Sequence, residues 1–279
     1  MKITTLIENN SKRELLAPQY GLSLFLETRH GCIVADTGQD GASLENFRTL
    51  GLDANAINAI FISHNHYDHL GGLQSYIDAT SAKGPPVYLS ADTRAPLVSK
   101  RFLHRRRPVS CGVLIEKNAD RITPVSNMTE ILPAVYACRV KAPDPDFFCK
   151  DRKLRMVGED GRLIPDDFSH EIYLAVIEES AIKIVSPCSH NGVVNIIADA
   201  ISRFELPVTA FVGGMHMRGR KSTSLNCPIS YIKAVADRLA HNDCTFYTCH
   251  CTGHKAYRLL KDRLAERIHY FGTGDVFTV

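Results

Sequence analysis

Apolar and polar residues alternate from Gly21 to Thr28, as in a strand with one face on a core. Cys32-Ile33-Val34-Ala35 gives that strand a partner, which ends at Asp36-Thr37-Gly38. Ser43 to Leu50 carries a short helical pattern closed by Gly51. Ala59-Ile60-Phe61-Ile62 is a continuous apolar run of strand length and delivers the chain to Ser63-His64. Leu70 to Ile77 predicts a helix, and Val87-Tyr88-Leu89 another strand.

The second half has the same character. Ile172 to Ile177 and Ile182 to Val185 predict a hairpin turning at Glu179-Ser180. Strands are predicted at Val208 to Val212, Thr245 to Thr248 and Ile268 to Phe271. Helices are predicted at Val194 to Phe204, Pro228 to Leu239 and Ala256 to Leu264. The first of these puts Ile196, Ile197, Ala200 and Ile201 on one face, and the second starts on a proline. Between the halves, Thr93 to Asp167 carries Pro96, Pro108, Pro124, Pro133, Pro143, Pro145 and Pro165 with little period. It reads as loops and short strands, in the manner of a lid or substrate-recognition insert. Alternating strands and helices on both sides of an irregular middle predict an α/β fold with helices covering the sheets. The organisation expected is one domain over 1–279 with an insert at about 93–167.

Composition narrows the function classes. The chain has 279 residues, 44% of them hydrophobic and 23% charged, which is ample for a large core. A net charge of +3 is too small to argue for a nucleic-acid partner. No apolar run approaches the ~20 residues of a membrane span. Met1 to Glu8 is too short and too soon charged for a signal peptide, so a cytoplasmic location is expected. The nine cysteines form no CxxC pair, and reduced thiols are expected.

The densest chemistry lies in Ser63-His64-Asn65-His66-Tyr67-Asp68-His69-Leu70-Gly71-Gly72. Histidine and carboxylate are the ligands that suit Zn²⁺, Fe and Mn²⁺. In an extended segment, residues two apart project to the same side, so His64 and His66 can converge on one ion. Asp68 and His69 begin the next turn and can converge on a second. Gly71-Gly72 lets the following helix approach the loop closely.

The segment HNHYDHLGG resembles the HxHxDH signature of the metallo-β-lactamase superfamily, and Asp36-Thr37-Gly38 resembles that family's upstream DTG. The resemblance implies a four-layer αβ/βα sandwich with a metal site at the edge between two sheets. It implies that His64 and His66 hold one ion, that Asp68 and His69 hold the other, and that Asp36 supports the metal loop. In the family, a later strand end gives a bridging acidic ligand and a final strand gives a last histidine. Here Ser186-Pro187-Cys188-Ser189-His190 and Tyr247-Thr248-Cys249-His250-Cys251 follow predicted strands, and no aspartate stands at the bridging place. His190 and His250 are the favoured ligands, with Cys188 as the alternative occupant. Cys249 and Cys251 are expected to pack around His250, with contact of Cys251 with the metal edge as the alternative. Gly213-Gly214-Met215-His216 ends another strand and offers His216 as a ligand or a general acid.

Together, SPCSHNGVVN, GGMH and CHCTG resemble a subgroup of the superfamily that contains a dihydropterin-methyl aminobenzene ribofuranosyl phosphate synthase. That resemblance implies a transferase that displaces diphosphate on a pterin-like phosphorylated substrate, with one or two divalent ions, zinc foremost and iron or manganese next. The alternatives are a metal-dependent hydrolase of an ester, lactone or phosphodiester, and a metal sensor or redox protein without turnover. In the hydrolase, Asp68 would orient the nucleophile and His216 would protonate the leaving group. The basic run from Lys100 to Arg107, with Arg105, Arg106 and Arg107 at its end, suits a small anionic substrate. Arg218, Arg220 and Lys221 are a second such group.

Overall fold

The structure, a computed structural model, describes residues 1–80, 84–93, 96–100 and 106–279. Its strands, in chain order, are β1 (Lys2–Ile7), β2 (Ser23–Thr28), β3 (Gly31–Ala35), β4 (Ile57–Phe61), β5 (Val87–Ser90), β6 (Leu97–Lys100), β7 (Arg106–Pro108), β8 (Ile122–Val125) and β9 (Met128–Leu132). They continue as β10 (Val135–Cys138), β11 (Leu154–Val157), β12 (Leu163–Pro165), β13 (Tyr173–Glu178), β14 (Ala181–Val185), β15 (Val208–Gly213), β16 (Thr245–Thr248), β17 (Ile268–Tyr270) and β18 (Val276–Thr278). The helices are α1 (Ala42–Thr49), α2 (Tyr67–Leu70), α3 (Leu73–Ala79), α4 (Gly112–Lys117), α5 (Val193–Phe204), α6 (Ile229–Ala240) and α7 (Gly253–Leu264).

Two sheets carry the molecule. One runs β18-β1-β2-β3-β4-β5-β8, the other β17-β16-β15-β14-β13-β10-β9. Leu24, Leu26, Ile33 and Phe61 of the first share a core with Leu174, Val176, Val185 and Val212 of the second. On the outer face of the first sheet, Phe25, Val34 and Ile60 meet Phe47, Leu73 and Tyr76 of α1 and α3. On the outer face of the second, Ile184, Phe211 and Phe246 meet Ile196, Ile232 and Leu260 of α5, α6 and α7. The order helix, sheet, sheet, helix is the αβ/βα sandwich expected from the motif. Among the described residues, no helix is long and apolar enough to cross a membrane.

Several elements differ from the sequence expectation. β2 is buried on both faces from Ser23 to Leu26, because the helical layer covers the side that alternation assigned to water. The helix expected over Leu70 to Ile77 is broken at Gly71-Gly72 into α2 and α3. A Cβ on Gly71 would lie 2.1 Å from the Gln39 carbonyl oxygen, and one on Gly72 would lie 2.2 Å from that of Thr37. The helical layer is pressed against the Asp36-Thr37-Gly38 loop there, and only glycine fits. Lys2–Ile7, considered above only as a targeting segment, is an interior strand.

The stretch 93–167 contributes to all three sheets. β8 and β9 form edges of the two large sheets, while β12-β11-β6-β7 make a separate four-stranded sheet. Its prolines fit such positions: Pro124 lies on an edge strand, and Pro108 and Pro165 end strands.

Candidate metal centre

β14, β15 and β16 are parallel, as are β3 and β4, so each set delivers its carboxyl ends to one edge. Asp36 follows β3, the His64–His69 segment follows β4, and the His190, His216 and His250 loops follow β14, β15 and β16. Asp36, Ser189, His216 and His250 all hold positive φ (57°, 57°, 42° and 47°). Such backbone is costly for residues with a Cβ and concentrates where function over-determines it.

The imidazoles are oriented from behind. His69 Nδ1 lies 2.5 Å from Asp36 Oδ2. The same carboxylate accepts from Ser63 N and Ser63 Oγ, both at 2.7 Å. Ser63 Oγ in turn lies 2.7 Å from His64 Nδ1. His250 Nδ1 lies 3.0 Å from Asn9 Oδ1. Each of these rings is thereby held at Nδ1, with Nε2 of His64 and His250 left over and that of His69 turned to Cys188, which is how a ligating histidine is fixed in its tautomer. Among the described residues, Nε2 of His64, His66 and His250 and both ring nitrogens of His190 are buried with no hydrogen-bond partner.

These orphaned atoms converge. His64, His66 and His190 form one group whose donor atoms lie within 4.8 Å of one another. His64, His69 and Cys188 form a second such group, and Cys188, His250 and Cys251 a third. Cys188 Sγ is 3.2 Å from His69 Nε2. Asp68 Oδ2 is 3.6 Å from His250 Nε2 and 3.8 Å from His69 Nε2. A buried unpaired nitrogen costs about 1–3 kcal/mol, so several together fit a cation that satisfies them at once. Cys188 thus falls where two donor groups meet. Cys249 packs in the core between the sheets, whereas Cys251 brings its sulfur to a donor group, the lesser of the two expectations for it.

Electrostatics agree with ligand chemistry. Burial pushes His66 down to about 3, with repulsion from His170 adding to it. Burial, then neighbouring imidazoles, hold His64 and His190 well below the ordinary value. Neutral imidazole is the form that binds metal. For His69, burial lowers the pKa, but Asp36 and Asp68 outweigh it and raise the ring above the ordinary value. Burial raises Asp68, but His69 and His250 outweigh it and hold the carboxyl below the usual range. His216 is raised against burial by Cys149, Asp151 and Cys251.

A cleft of about 950 Å³ opens over this floor. Ser99, Lys100, Arg107 and Lys153 line it from the small sheet and its approach, and Arg218 and Arg220 line it from the loop after β15. Ser99 pairs with Arg107 on one side and with Leu154 on the other, so the small sheet presents these three together. Arg107 lies over the Tyr67 ring at 4.8 Å and Arg218 over the Tyr20 ring at 5.0 Å. Among the described residues, five cations line the cleft against two carboxylates, Asp68 and Asp151. Of the arginine run, Arg107 reaches the cleft, Arg106 is exposed on β7 and does not line it, and Arg105 lies outside the described residues. Lys221 does not line the cleft either.

Sequence reasoning passed over the residues that hold the loops. Glu171 accepts from His190 N at 2.6 Å and Asn191 N at 2.7 Å. Glu8 accepts from His250 N at 2.7 Å. His170 sits between Asn65 N (3.3 Å) and Asp166 (3.3 Å). The available signal was positional: Glu8-Asn9-Asn10 and His170-Glu171 are polar runs abutting apolar strands.

Residues 16–132 match the family model of the metallo-beta-lactamase superfamily. The sandwich and the histidine cluster at its edge agree with that match, and residues 16–132 carry the family's domain pattern. It is similar over 273 aligned residues, at 26% identity, to 7,8-dihydropterin-6-methyl-4-(beta-D-ribofuranosyl)-aminobenzene-5'-phosphate synthase of Methanocaldococcus jannaschii, covering 92% of this chain and 89% of that protein. An uncharacterized protein of the same organism is 23% identical, with 91% of each chain covered. Among solved structures, a metal-dependent hydrolase of the beta-lactamase superfamily shares the fold with a TM-score of 0.78 at 23% identity, covering 100% of this chain and 99% of that one.

Proposed function

We propose that the protein is a metal-dependent transferase that displaces diphosphate from a pterin-like, phosphorylated substrate in favour of an aromatic acceptor. The observation that carries this reading is a rim of five cations set over a floor of imidazole nitrogens without hydrogen-bond partners, both among the described residues. The similarity to the synthase supports it. His64, His66 and His190 would hold one divalent ion. Asp68, His69 and His250 would hold a second, with Cys188 in place of a bridging acid. A nitrogen, oxygen and thiolate set suits Zn²⁺ over Mn²⁺, with Fe²⁺ next. A bound ion would supply a Lewis acid to the phosphate oxygens.

The chain's own residues do the rest. Lys100, Arg107 and Lys153 from the small sheet and its approach, and Arg218 and Arg220 from the loop after β15, bind anionic oxygens. The bond from substrate carbon to diphosphate oxygen breaks as the acceptor attacks, the diphosphate leaves with the electron pair, and the acceptor gives up a proton. Asp68 is the floor carboxylate that faces this step. We further propose that 1–279 acts as one domain, with 93–167 supplying the recognition wall.

A second reading, hydrolysis, draws on His216 and Asp151. The carboxylate lies 3.6 Å from His216 Nε2, so a protonated imidazole faces the cleft and can donate to a leaving group. The test follows pyrophosphate release from a dihydropterin methyl diphosphate by protein loaded with Zn²⁺, Fe²⁺ or Mn²⁺. Release that requires an aminobenzene acceptor supports transfer. Release that ignores the acceptor and puts labelled water oxygen into the product alcohol establishes hydrolysis. No release with any metal would sink both.

A further inference from the structure

We propose a further metal position beside this cluster, held by Cys149, His190 and His216 with Asp151 in reach. The three donor atoms lie within 4.8 Å of one another. Edges of a tetrahedral zinc site, with Zn–N about 2.0 Å and Zn–S about 2.3 Å, are about 3.3–3.6 Å. A movement of about an ångström would close the set.

His190 makes the case. It is fully buried, and Phe168 stacks on its ring at 4.4 Å and 8°. Neither ring nitrogen has a hydrogen-bond partner among the described residues. One ion from the His64, His66 and His190 group satisfies only one of them. The two nitrogens leave the ring in diverging directions, so the second can serve the Cys149 and His216 pair. As such a bridge, His190 gives up its ring proton to solvent.

The other donors are also prepared. Among the described residues, both ring nitrogens of His216 lack a hydrogen-bond partner, and Asp151 Oδ2 lies 3.6 Å from its Nε2. Cys149 is docked on the His190 loop, its amide donating to the His190 carbonyl at 3.0 Å. Its sulfur accepts from Asp151 N at 3.4 Å. A thiolate, two imidazoles and a carboxylate are a zinc-type donor set. Cys149 and Asp151 lead directly into β11, so the ion would pin the recognition wall to the floor. It would also occupy His216, which the hydrolysis reading needs as a proton donor and the transfer reading does not. The proposal shares only His190 with the ligand sets above, so His66→Ala tests those sets and leaves this one.

The experiment measures zinc per chain by mass spectrometry after dialysis, for wild type, Cys149→Ser, His216→Ala and His66→Ala. The expected result is one zinc fewer in Cys149→Ser and in His216→Ala than in wild type. In Co²⁺-loaded protein, the charge-transfer absorption that depends on Cys149 should persist in His66→Ala. Equal zinc content in wild type and in the two variants overturns the proposal. Iodoacetamide labelling of Cys149 in the unsubstituted protein covers the case of a variant that does not fold. Protection by Zn²⁺ supports the site, and labelling indifferent to Zn²⁺ refutes it.

Discussion

Glu171 is the residue through which the centre is most economically tested. It is 2% exposed, and its carboxylate accepts from His190 N, Asn191 N and Asn191 Nδ2 at 2.6, 2.7 and 2.9 Å. Glu171→Gln keeps one acceptor oxygen and sets an NH₂ against a backbone N–H. That leaves at least one buried backbone donor unpaired, at about 1–3 kcal/mol. Glu171→Ala strands both backbone donors, at about 2–6 kcal/mol, against a total stability on the order of 5–15 kcal/mol. The glutamine variant is therefore the informative one. Outer partners of ligands are worth about 10–100-fold in metal affinity, and the His190 loop hangs on this carboxylate. Urea denaturation of metal-free protein gives the stability, and competition with a chromogenic chelator gives the Zn²⁺ affinity. The expected result is a loss of about 1–3 kcal/mol and a tenfold or greater weakening of Zn²⁺ binding, with the far-ultraviolet circular dichroism unchanged. Wild-type values for both in Glu171→Gln would show that the carboxylate does not organise the loop.

Glu178 accepts from Lys183 Nζ at 2.7 Å and from the Met1 ammonium at 2.9 Å. Burial raises its pKa, but these cations outweigh burial and pull it down to about 2. A depressed carboxyl stabilises the fold above its unfolded value and loses that contribution as pH falls toward 2. Glu178→Gln should thus flatten the decline in stability from about pH 4.5 downward, as read by denaturation at a series of pH values. Gly72→Ala places a methyl 2.2 Å from the Thr37 carbonyl. It should destabilise by about 3 kcal/mol or more, measured as a fall in Tm. Removing bound metal by chelation should lower Tm on the order of 10 °C when the free ion had exceeded Kd a thousandfold; an unchanged Tm would argue against occupancy. Arg107→Ala and Arg218→Ala should each weaken inhibition by pyrophosphate by roughly tenfold, about 1.4 kcal/mol, and a change confined to kcat would contradict a binding role.

The helical and central strand pattern was legible because each core element repeats one period over several residues. The hairpin at Glu179-Ser180 falls where expected, and both residues hold positive φ (56° and 58°). What the pattern could not show is how two layers share one strand. β2 alternates like a one-sided strand, yet its polar Ser23 is buried, its hydroxyl bonded to the Asp36 carbonyl. The short edge strands of 93–167 have too few residues to display a period at all. At the centre, His64 to His69 announce themselves by ligand type. Glu8, Glu171 and Asn9 act by accepting from or orienting residues far away in the chain. Glu8 and His250 are 242 positions apart, a relation that local spacing does not carry.

The small sheet β12-β11-β6-β7 is assembled from two excursions, one between β5 and β8 and the other between β10 and β13. Neither excursion carries His64, His66, Asp68, His69, His190 or His250. The wall that bears Lys100, Arg107 and Lys153 and the strand ends that bear the imidazoles are therefore separable parts of the polypeptide, while Arg218 and Arg220 lie with the latter. The small sheet could be replaced, lengthened or grafted from a relative while the strand ends bearing the imidazoles stay as they are.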